Sequence, residues 1–313
     1  MEDHWNNIPA FPEFKELAFE DKPLFDALFA TFPPAISEFT FTNLFMWHHA
    51  YTIKLSHLEG FLCLLADREE DPFFFPVIGE GNMVECYRAL RQFLEQKGSP
   101  LKIARVPENT VDSMDWNAEG MVATLDRGQS DYVYLVADLI NLSGRKYHRK
   151  RNHVKQFKDK YPYEYVPLTP EWVPECLRLE TEWCDLRHCE VYPGLANESV
   201  AIKEALTHFE ALGIRGGGIL IDGKVQAFTL GERLNPETVV IHIEKANPAY
   251  EGLYTMINQA FLEKEWTGYS YVNREQDLDE EGLRKAKESY FPHHLVNKYT
   301  ITSKSIGRQD KRP

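Results

Sequence analysis

Apolar residues recur at two spacings along the chain, and each spacing predicts a different kind of element. Short apolar runs between turn residues predict strands, and longer stretches with apolar positions three and four apart predict helices. The predicted strands are 52–58, 60–66, 73–78, 101–106, 131–137, 163–167, 215–221, 224–232, 238–245, 269–273 and 295–302. The predicted helices are 23–32, a short aromatic helix within 37–51 capped by Thr42 or Asn43, 82–98, 144–160, 171–187, 199–212, 252–266 and 280–290.

This order of elements predicts an α+β protein with two domains. The 313 residues exceed the usual length of one domain, about 100–200 residues. We place the boundary near Gly128–Ser130, which gives an N-terminal domain of residues 1–129 and a C-terminal domain of residues 130–302. Residues 303–313 lack apolar periodicity and are predicted to form a flexible tail. In the second half, two helices, a three-stranded meander, a helix, a strand, a helix and a strand follow the order of an N-acetyltransferase.

The segment 144–160 (GRKYHRKRNHVKQFKDK) reverses the sign of an acidic chain whose formal net charge is -13. Ser143 is the predicted N-cap of this helix. Helical spacing predicts a buried stripe of Tyr147, Val154, Phe157 and Tyr161. Guanidinium and ammonium groups near a helix start suit anions, so we predict a phosphate-rich substrate or an RNA backbone as the ligand. The predicted phosphate-binding residues are Arg145, Lys146, Arg149, Lys150 and Arg151; the alternative is a solvated basic face.

Composition excludes several other classes of protein. The N-terminus lacks a basic region followed by an apolar run, and no run of about 18 apolar residues could span a membrane. Five cysteines at irregular spacing predict reduced thiols and a cytoplasmic location. Cys184, His188 and Cys189 lie close in sequence without a fourth ligand, so no metal site is predicted. The overall acidity argues against a DNA-binding surface.

Several segments together resemble the DUF2156 family. They are SEFTFTNLFMW, GRKYHRKRNH, HIEKANPAYEGLYTMIN, NREQDLDEEGLRKAKESYFP and NKYTI. That family is similar to the C-terminal domain of phosphatidylglycerol lysyltransferases and, more distantly, to Fem-type aminoacyltransferases. The resemblance implies two tandem acetyltransferase-like (GNAT-like) domains with mixed sheets flanked by helices. It also implies transfer of an aminoacyl group from aminoacyl-tRNA, with Lys287 near the phosphate-bearing substrate.

The predicted helix start at 249–254 departs from the pattern of a CoA-binding acetyltransferase. Gly252 is kept, which allows a phosphate to approach the backbone. Tyr254 is expected to crowd that approach and Glu251 to repel a pyrophosphate. The sequence therefore favours aminoacyl-tRNA over acyl-CoA as the donor substrate.

Acyl transfer needs a base and a positive environment for the oxyanion. His242 and Glu244 alternate on one predicted strand, which places them on the same face. Glu244 is the candidate general base; the alternative is a carboxylate paired with Arg or Lys. Lys287 is the candidate stabiliser of the tetrahedral intermediate; the alternative is an exposed helix lysine.

The end of the next predicted strand is crowded with polar residues. Asn273 and Arg274 are candidate binding residues for a carboxylate or phosphate, and Glu275 is expected to orient Arg274. The alternative is a buried ion-pair network that also includes Asp277. Tyr290 is either a proton donor to the leaving group or a core tyrosine.

The leading hypothesis is therefore a cytoplasmic acyltransferase whose acyl donor or acceptor is phosphate-rich and is bound by the basic helix in a cleft between the two domains. Aminoacyl-tRNA is the donor that the resemblance favours. The alternatives are a CoA-dependent N-acetyltransferase and a non-catalytic nucleotide- or RNA-binding module. The acyl group, the acceptor and the oligomeric state stay open.

Overall fold

The computed structural model describes Trp5, residues 7–68 and residues 71–304. Its strands are β1 Lys15–Glu16, β2 Thr52–Leu58, β3 Phe61–Asp67, β4 Phe73–Phe74, β5 Ile78–Gly79, β6 Lys102–Pro107, β7 Met121–Leu125, β8 Asp131–Leu135, β9 Glu164–Pro167, β10 Arg215–Ile221, β11 Lys224–Arg233, β12 Thr238–Ala246, β13 Tyr271–Asn273, β14 His294–Val296 and β15 Lys298–Ser303. Its α-helices are α1 Lys22–Thr31, α2 Phe41–Met46, α3 Met83–Gln96, α4 Glu108–Val111, α5 Val136–Asn141, α6 His148–Lys160, α7 Val173–Arg187, α8 Pro193–Thr207, α9 Phe209–Leu212, α10 Leu253–Glu265 and α11 Glu281–Glu288.

The chain divides into two compact units. Of the described residues, the first contains those up to Leu17, those within 51–129 and those from 297 to 304, and the second contains residues 18–50 and 130–296. The sequence-based boundary near Gly128–Ser130 coincides with one of these junctions. The contiguous division differs elsewhere, because residues 18–50 lie in the second unit and β15 completes the sheet of the first. Ser303 lies in β15, and residues 305–313 of the predicted tail lie outside the described residues.

The first unit is built on an eight-stranded sheet in the order β1-β2-β3-β4-β6-β15-β7, with β5 paired to β3. Most neighbouring strands are antiparallel, whereas β4 and β6 are parallel. Helix α3 begins after Asn82, whose side chain accepts a hydrogen bond from the backbone N–H of Glu85. Its buried residues Cys86, Tyr87, Leu90 and Leu94 recur at helical spacing and pack against β3 and β6.

The second unit contains a seven-stranded sheet in the order β14-β8-β13-β12-β11-β10-β9. Strands β10, β11 and β12 form the predicted antiparallel meander, and β12 pairs with β13 in parallel. Helix α10 packs on this sheet between two buried clusters, one shared with α6 and one with β8 and β13. Both sheets are mixed and flanked by helices, so the predicted α+β class is confirmed.

The basic segment begins as a 3-10 turn, Arg145–Tyr147, and continues as α6. Tyr147, Val154 and Phe157 are buried, and Tyr161 packs against them, as the helical spacing predicts. The predicted Ser143 cap is wrong, because the residue before α6 is Tyr147 and it makes no side-chain cap. Likewise, Thr40 and not Thr42 or Asn43 caps α2, since its hydroxyl accepts the N–H of Asn43.

The cysteines differ from the expectation of five reduced thiols. Cys184 and Cys189 form a disulfide with a Cα–Cα distance of 5.0 Å, whereas Cys63, Cys86 and Cys176 are free and buried. The disulfide closes a short loop after α7 that sequence spacing does not reveal.

None of the helices in the described ranges is both long enough and apolar enough to cross a membrane.

Candidate active site

The candidate site lies where β12 and β13 separate in the second unit. The two strands pair only where Thr238–Val240 of β12 lies beside Tyr271–Asn273 of β13. Beyond this point β12 continues to Ala246, while the segment after β13 turns away through Glu275, whose φ is 56°. The residues that follow the last paired ones therefore lie on either side of a gap between the two strands.

A β-bulge in β12 determines on which face of the sheet each side chain beside this gap lies. Leu230 pairs with Ile243 and Gly231 pairs with Ile241, so His242 is an extra residue without an opposite partner. An extra residue reverses the alternation of side chains along a strand. The expectation that His242 and Glu244 share one face is therefore wrong. Glu244 contacts Asn258 of α10, whereas His242 contacts Thr40, Glu232 and Glu275.

Glu244 and Arg274 form an ion pair across the gap. Arg274 Nη2 lies 3.1 Å and 3.2 Å from the two carboxylate oxygens of Glu244, and Asn258 Nδ2 donates to Oε2 at 3.1 Å. The two side chains are only 14% and 13% exposed. The alternative interpretation of Glu244, a carboxylate paired with an arginine, describes this arrangement, and its role as a base stays a prediction.

Two tyrosines enclose the Arg274 guanidinium. Its Cζ atom lies 4.9 Å from the centre of the Tyr290 ring and 5.8 Å from that of Tyr134. Nη1 is buried and makes no hydrogen bond with the residues that the structure describes. An unsatisfied buried donor is costly, so this N–H edge is suited to an incoming acceptor such as a phosphate or carboxylate oxygen.

Lys287 and Lys150 add two cations beside Arg274. Lys287 Nζ donates to the Arg274 carbonyl, and Lys150 Nζ lies 3.6 Å from the centre of the Tyr290 ring. Burial, together with repulsion from Arg274, lowers the pKa of each lysine from 10.5 to about 8. Lys287 is half-buried, so the alternative of an exposed helix lysine is wrong.

The loop after β13 holds Arg274 and Glu275 in place through buried polar side chains. Asn273 is fully buried; its Nδ2 donates to Asp131 at 2.9 Å, and its Oδ1 accepts the N–H of Glu275 at 2.8 Å. Asp277 accepts from Tyr132 and Arg284, each at 2.6 Å. Asn273, predicted as a binding residue, thus uses both ends of its side chain within the protein.

The predicted phosphate-binding bases of the basic segment serve different purposes. Arg145 and Arg149 are exposed, and Lys146 lies 3.4 Å from the Asp138 carboxylate. Arg151 Nη1 donates to the carbonyls of Leu142 and Gly144, which end helix α5 and the loop after it. Arg151 therefore caps the end of α5. Of the five predicted bases, only Lys150 contacts one of the two tyrosine rings that enclose Arg274.

Gly252 fits closely against α6. Its φ is 86°, and a Cβ atom added there would lie 2.5 Å from the His153 carbonyl oxygen. Both the left-handed backbone and the close approach require glycine. The side chain of Tyr254 does not project freely, because its hydroxyl accepts a hydrogen bond from Trp183 Nε1 at 3.0 Å.

Replacing Gly252 with alanine is expected to lower the free energy of unfolding by about 2–4 kcal/mol, from backbone strain plus overpacking. Gly213 provides a matched control, because its φ is 73° but a Cβ atom added there would meet nothing within 4 Å. Gly213→Ala should cost only the backbone part, about 1–2 kcal/mol. Urea denaturation of both variants measures the difference, and equal losses would show that α6 does not press on Gly252.

The His242 side chain, only 1% exposed, lies between two carboxylates, an arrangement that sequence reasoning did not find. Nδ1 donates to Glu275 at 2.8 Å and Nε2 donates to Glu232 at 2.9 Å. Burial opposes the charged imidazole, but the hydrogen bonds to both carboxylates outweigh it and raise the pKa of His242 from 6.5 to about 9. The site thus has an imidazolium on one face of β12 and the Glu244–Arg274 pair on the other.

His242→Asn should show a pH-dependent loss of stability. Folding raises the pKa of His242 in the wild type. The stability that its charged imidazole contributes is therefore complete below pH 6.5 and disappears as the pH rises through 9. Its size is on the order of 3 kcal/mol. Denaturation of wild type and variant at several pH values should therefore show a difference that narrows with rising pH; a constant difference would contradict the charged imidazole.

Comparison with known proteins identifies the family. A family model described as "Phosphatidylglycerol lysyltransferase, C-terminal" matches residues 29–302. The crystal structure of a conserved protein of unknown function from Bacteroides thetaiotaomicron is 36% identical, with a TM-score of 0.86 over 93% of this chain and 99% of that chain. A search of curated proteins finds no match.

More distant structures share the fold. L-PGS from Bacillus licheniformis is 14% identical with a TM-score of 0.63, over 96% of this chain and 95% of that chain. FemX is 11% identical with a TM-score of 0.50, over 92% of this chain and 96% of that chain. The resemblance seen in the sequence is therefore confirmed. The protein has the fold of the GNAT-like and Fem-like acyltransferases, and it belongs to the phosphatidylglycerol lysyltransferase C-terminal family.

Proposed function

We propose that this protein is a cytoplasmic aminoacyltransferase that moves an aminoacyl group from aminoacyl-tRNA to an amine or hydroxyl acceptor. The observation that carries the proposal is the ion pair of Arg274 with Glu244, with Lys287 bonded to the Arg274 carbonyl and Lys150 on the ring of Tyr290 beside it. Three cations gathered in a partly desolvated gap provide a site for a phosphate and for the oxyanion of acyl transfer.

The roles follow from the contacts. The acceptor N–H or O–H attacks the acyl carbon, a new C–N or C–O bond forms, and the ester bond to the ribose oxygen breaks. Glu244 takes the acceptor proton and returns it to the ribose oxygen, which leaves as a hydroxyl, while Asn258 and Arg274 hold the carboxylate in place. Lys287, with a pKa lowered to about 8, is charged at neutral pH and stabilises the tetrahedral oxyanion.

The choice of aminoacyl-tRNA over acyl-CoA rests on the start of α10. Gly252 lies against the His153 carbonyl, and Tyr250 and Tyr161 form an edge-to-face contact with ring centres 5.0 Å apart. Backbone and rings thus cover part of the turn where an acetyltransferase binds a pyrophosphate. The exposed bases of the basic segment offer contacts for an RNA backbone instead. They are Arg145, Lys146, Arg149, Lys155, Lys158 and Lys160.

The test is a transfer assay with bulk tRNA charged with labelled amino acids, in the presence of amine and hydroxyl acceptors extracted from bacterial cells. Label should move from tRNA to an acceptor at a rate that falls at least about 100-fold in Glu244→Gln. Arg149→Ala should weaken tRNA binding and reduce its salt dependence, whereas Lys224→Ala, at the exposed start of β11, should do neither.

Two results would overturn the proposal. Transfer of an acetyl group from acetyl-CoA, without any from charged tRNA, would make the protein a CoA-dependent acetyltransferase. Binding of tRNA without turnover, unchanged in Glu244→Gln, would make it a non-catalytic RNA-binding module.

A further inference from the structure

We propose that His48, His49 and Glu204 bind a Zn²⁺ ion at the surface of the second unit. His48 and His49 follow helix α2, and Glu204 lies in the last turns of α8. Each residue offers one ligand atom, and these three atoms lie within 4.8 Å of one another. The sequence alone predicted no metal site, because these residues are about 155 positions apart along the chain and show no motif spacing.

The distances suit a small tetrahedral ion. Zn²⁺ binds nitrogen and oxygen ligands at about 2.0–2.2 Å, so two ligand atoms of a tetrahedral site lie about 3.3 Å apart. His49 Nε2 already lies 3.4 Å from Glu204 Oε1. The rings of His48 and His49 are also close, with centres 3.8 Å apart. Small side-chain rotations therefore bring the three ligands around one ion.

A further contact orients one of the ligands. His48 Nδ1 lies within hydrogen-bond distance of the Phe45 carbonyl, and such a bond leaves Nε2 free to bind metal. Ligands of zinc sites usually have such an outer partner, which fixes the orientation of the ring. His208, one turn after Glu204, is not such a partner, because its Nδ1 lies 3.1 Å from the Glu204 backbone carbonyl and 3.6 Å from the carboxylate.

The ligand set selects the kind of ion and its role. Two imidazoles and one carboxylate suit Zn²⁺ and similar transition metals, whereas Mg²⁺ prefers oxygen ligands. The His49 side chain is 50% exposed, which leaves access for the ion and for a water as fourth ligand. Bound metal would fasten the end of α2 to α8. The first turn of α2 contacts the candidate active site, since Asn43 donates to Glu275 at 3.2 Å.

The test is calorimetric titration of tag-free protein, first dialysed against EDTA, with Zn²⁺, Ni²⁺ and Mg²⁺ at pH 7.5. We expect one equivalent of Zn²⁺ to bind, Ni²⁺ to bind at the same site and Mg²⁺ not to bind. His49→Ala and Glu204→Gln should each weaken Zn²⁺ binding by more than about 100-fold, because each variant removes a ligand. Bound Zn²⁺ should also raise the midpoint of thermal unfolding.

His188→Ala is the matched control. His188 and Glu190 form another exposed pair, 3.7 Å apart, that lacks a third ligand among the described residues. This variant should bind one Zn²⁺ as wild type does. The proposal is overturned if Zn²⁺ does not bind, or if His188→Ala weakens binding as much as His49→Ala. Circular dichroism of each variant confirms that the fold is kept, and none of these readouts depends on transfer activity.

Discussion

Arg274→Met is expected to lower the free energy of unfolding by about 3–5 kcal/mol and to abolish aminoacyl transfer. The substitution keeps most of the side-chain volume but leaves the Glu244 carboxylate buried without its cation. A buried charge without a partner costs much more than the intact pair contributes, since both groups have already lost water. Urea denaturation measures the change, and the charged-tRNA assay measures the loss of activity.

A double variant separates the charge effect from a packing effect. Arg274→Met combined with Glu244→Leu removes both charges and should recover most of the lost stability, because a buried ion pair replaced by apolar groups is often neutral. Transfer should stay absent. If the single variant is as stable as wild type, then Glu244 is well hydrated and the gap is not the desolvated site described above.

The sequence predicted most of the elements, because helical and strand periodicities are local. The meander of β10, β11 and β12 and the stripe on α6 follow directly from the spacing of apolar residues. The start of α6 does not, because Tyr147 precedes this helix without a side-chain cap. The role of Arg151 does not follow from spacing either. Arg151 binds the carbonyls that precede the helix, and this contact depends on how the chain folds back from α5.

The candidate site was predictable in its residues but not in its geometry. Glu244, Arg274 and Lys287 were singled out, whereas the orientation of His242 was wrong. The reason is the β-bulge, which is a register shift between β11 and β12. Alternation within one strand cannot show where its neighbour slips. For the same reason Glu232 escaped notice, since only the paired strands bring its carboxylate to His242.

Lys287→Met is expected to stabilise the protein at pH 7 while abolishing transfer. Burial lowers the pKa of Lys287 from 10.5 to about 8. Below pH 8 the native state must therefore hold a proton in a place that disfavours it, and this cost disappears as the pH rises through 10.5. After allowance for the remaining solvent contact, the expected gain at neutral pH is on the order of 1–3 kcal/mol.

The measurement compares unfolding of wild type and Lys287→Met by urea between pH 7 and pH 10.5. The advantage of the variant should shrink over this range, because the wild-type lysine loses its charge there. Lys285→Met is the control: Lys285 lies on the same helix, 72% exposed and paired with Glu281, so it should change stability by only a few tenths of a kcal/mol and leave transfer intact. An advantage that does not change with pH would mean that Lys287→Met gains only from packing.

Under the proposed function, this expected exchange of activity for stability accounts for the role of Lys287. A buried ammonium beside Arg274 is unfavourable in the free protein, and it becomes favourable when an anion arrives. Binding of a phosphate or formation of the oxyanion then relieves the repulsion among the three cations. The native state thus loses free energy by holding Lys287 charged. It regains this free energy when negative charge develops beside the lysine, and such differential binding accelerates a reaction.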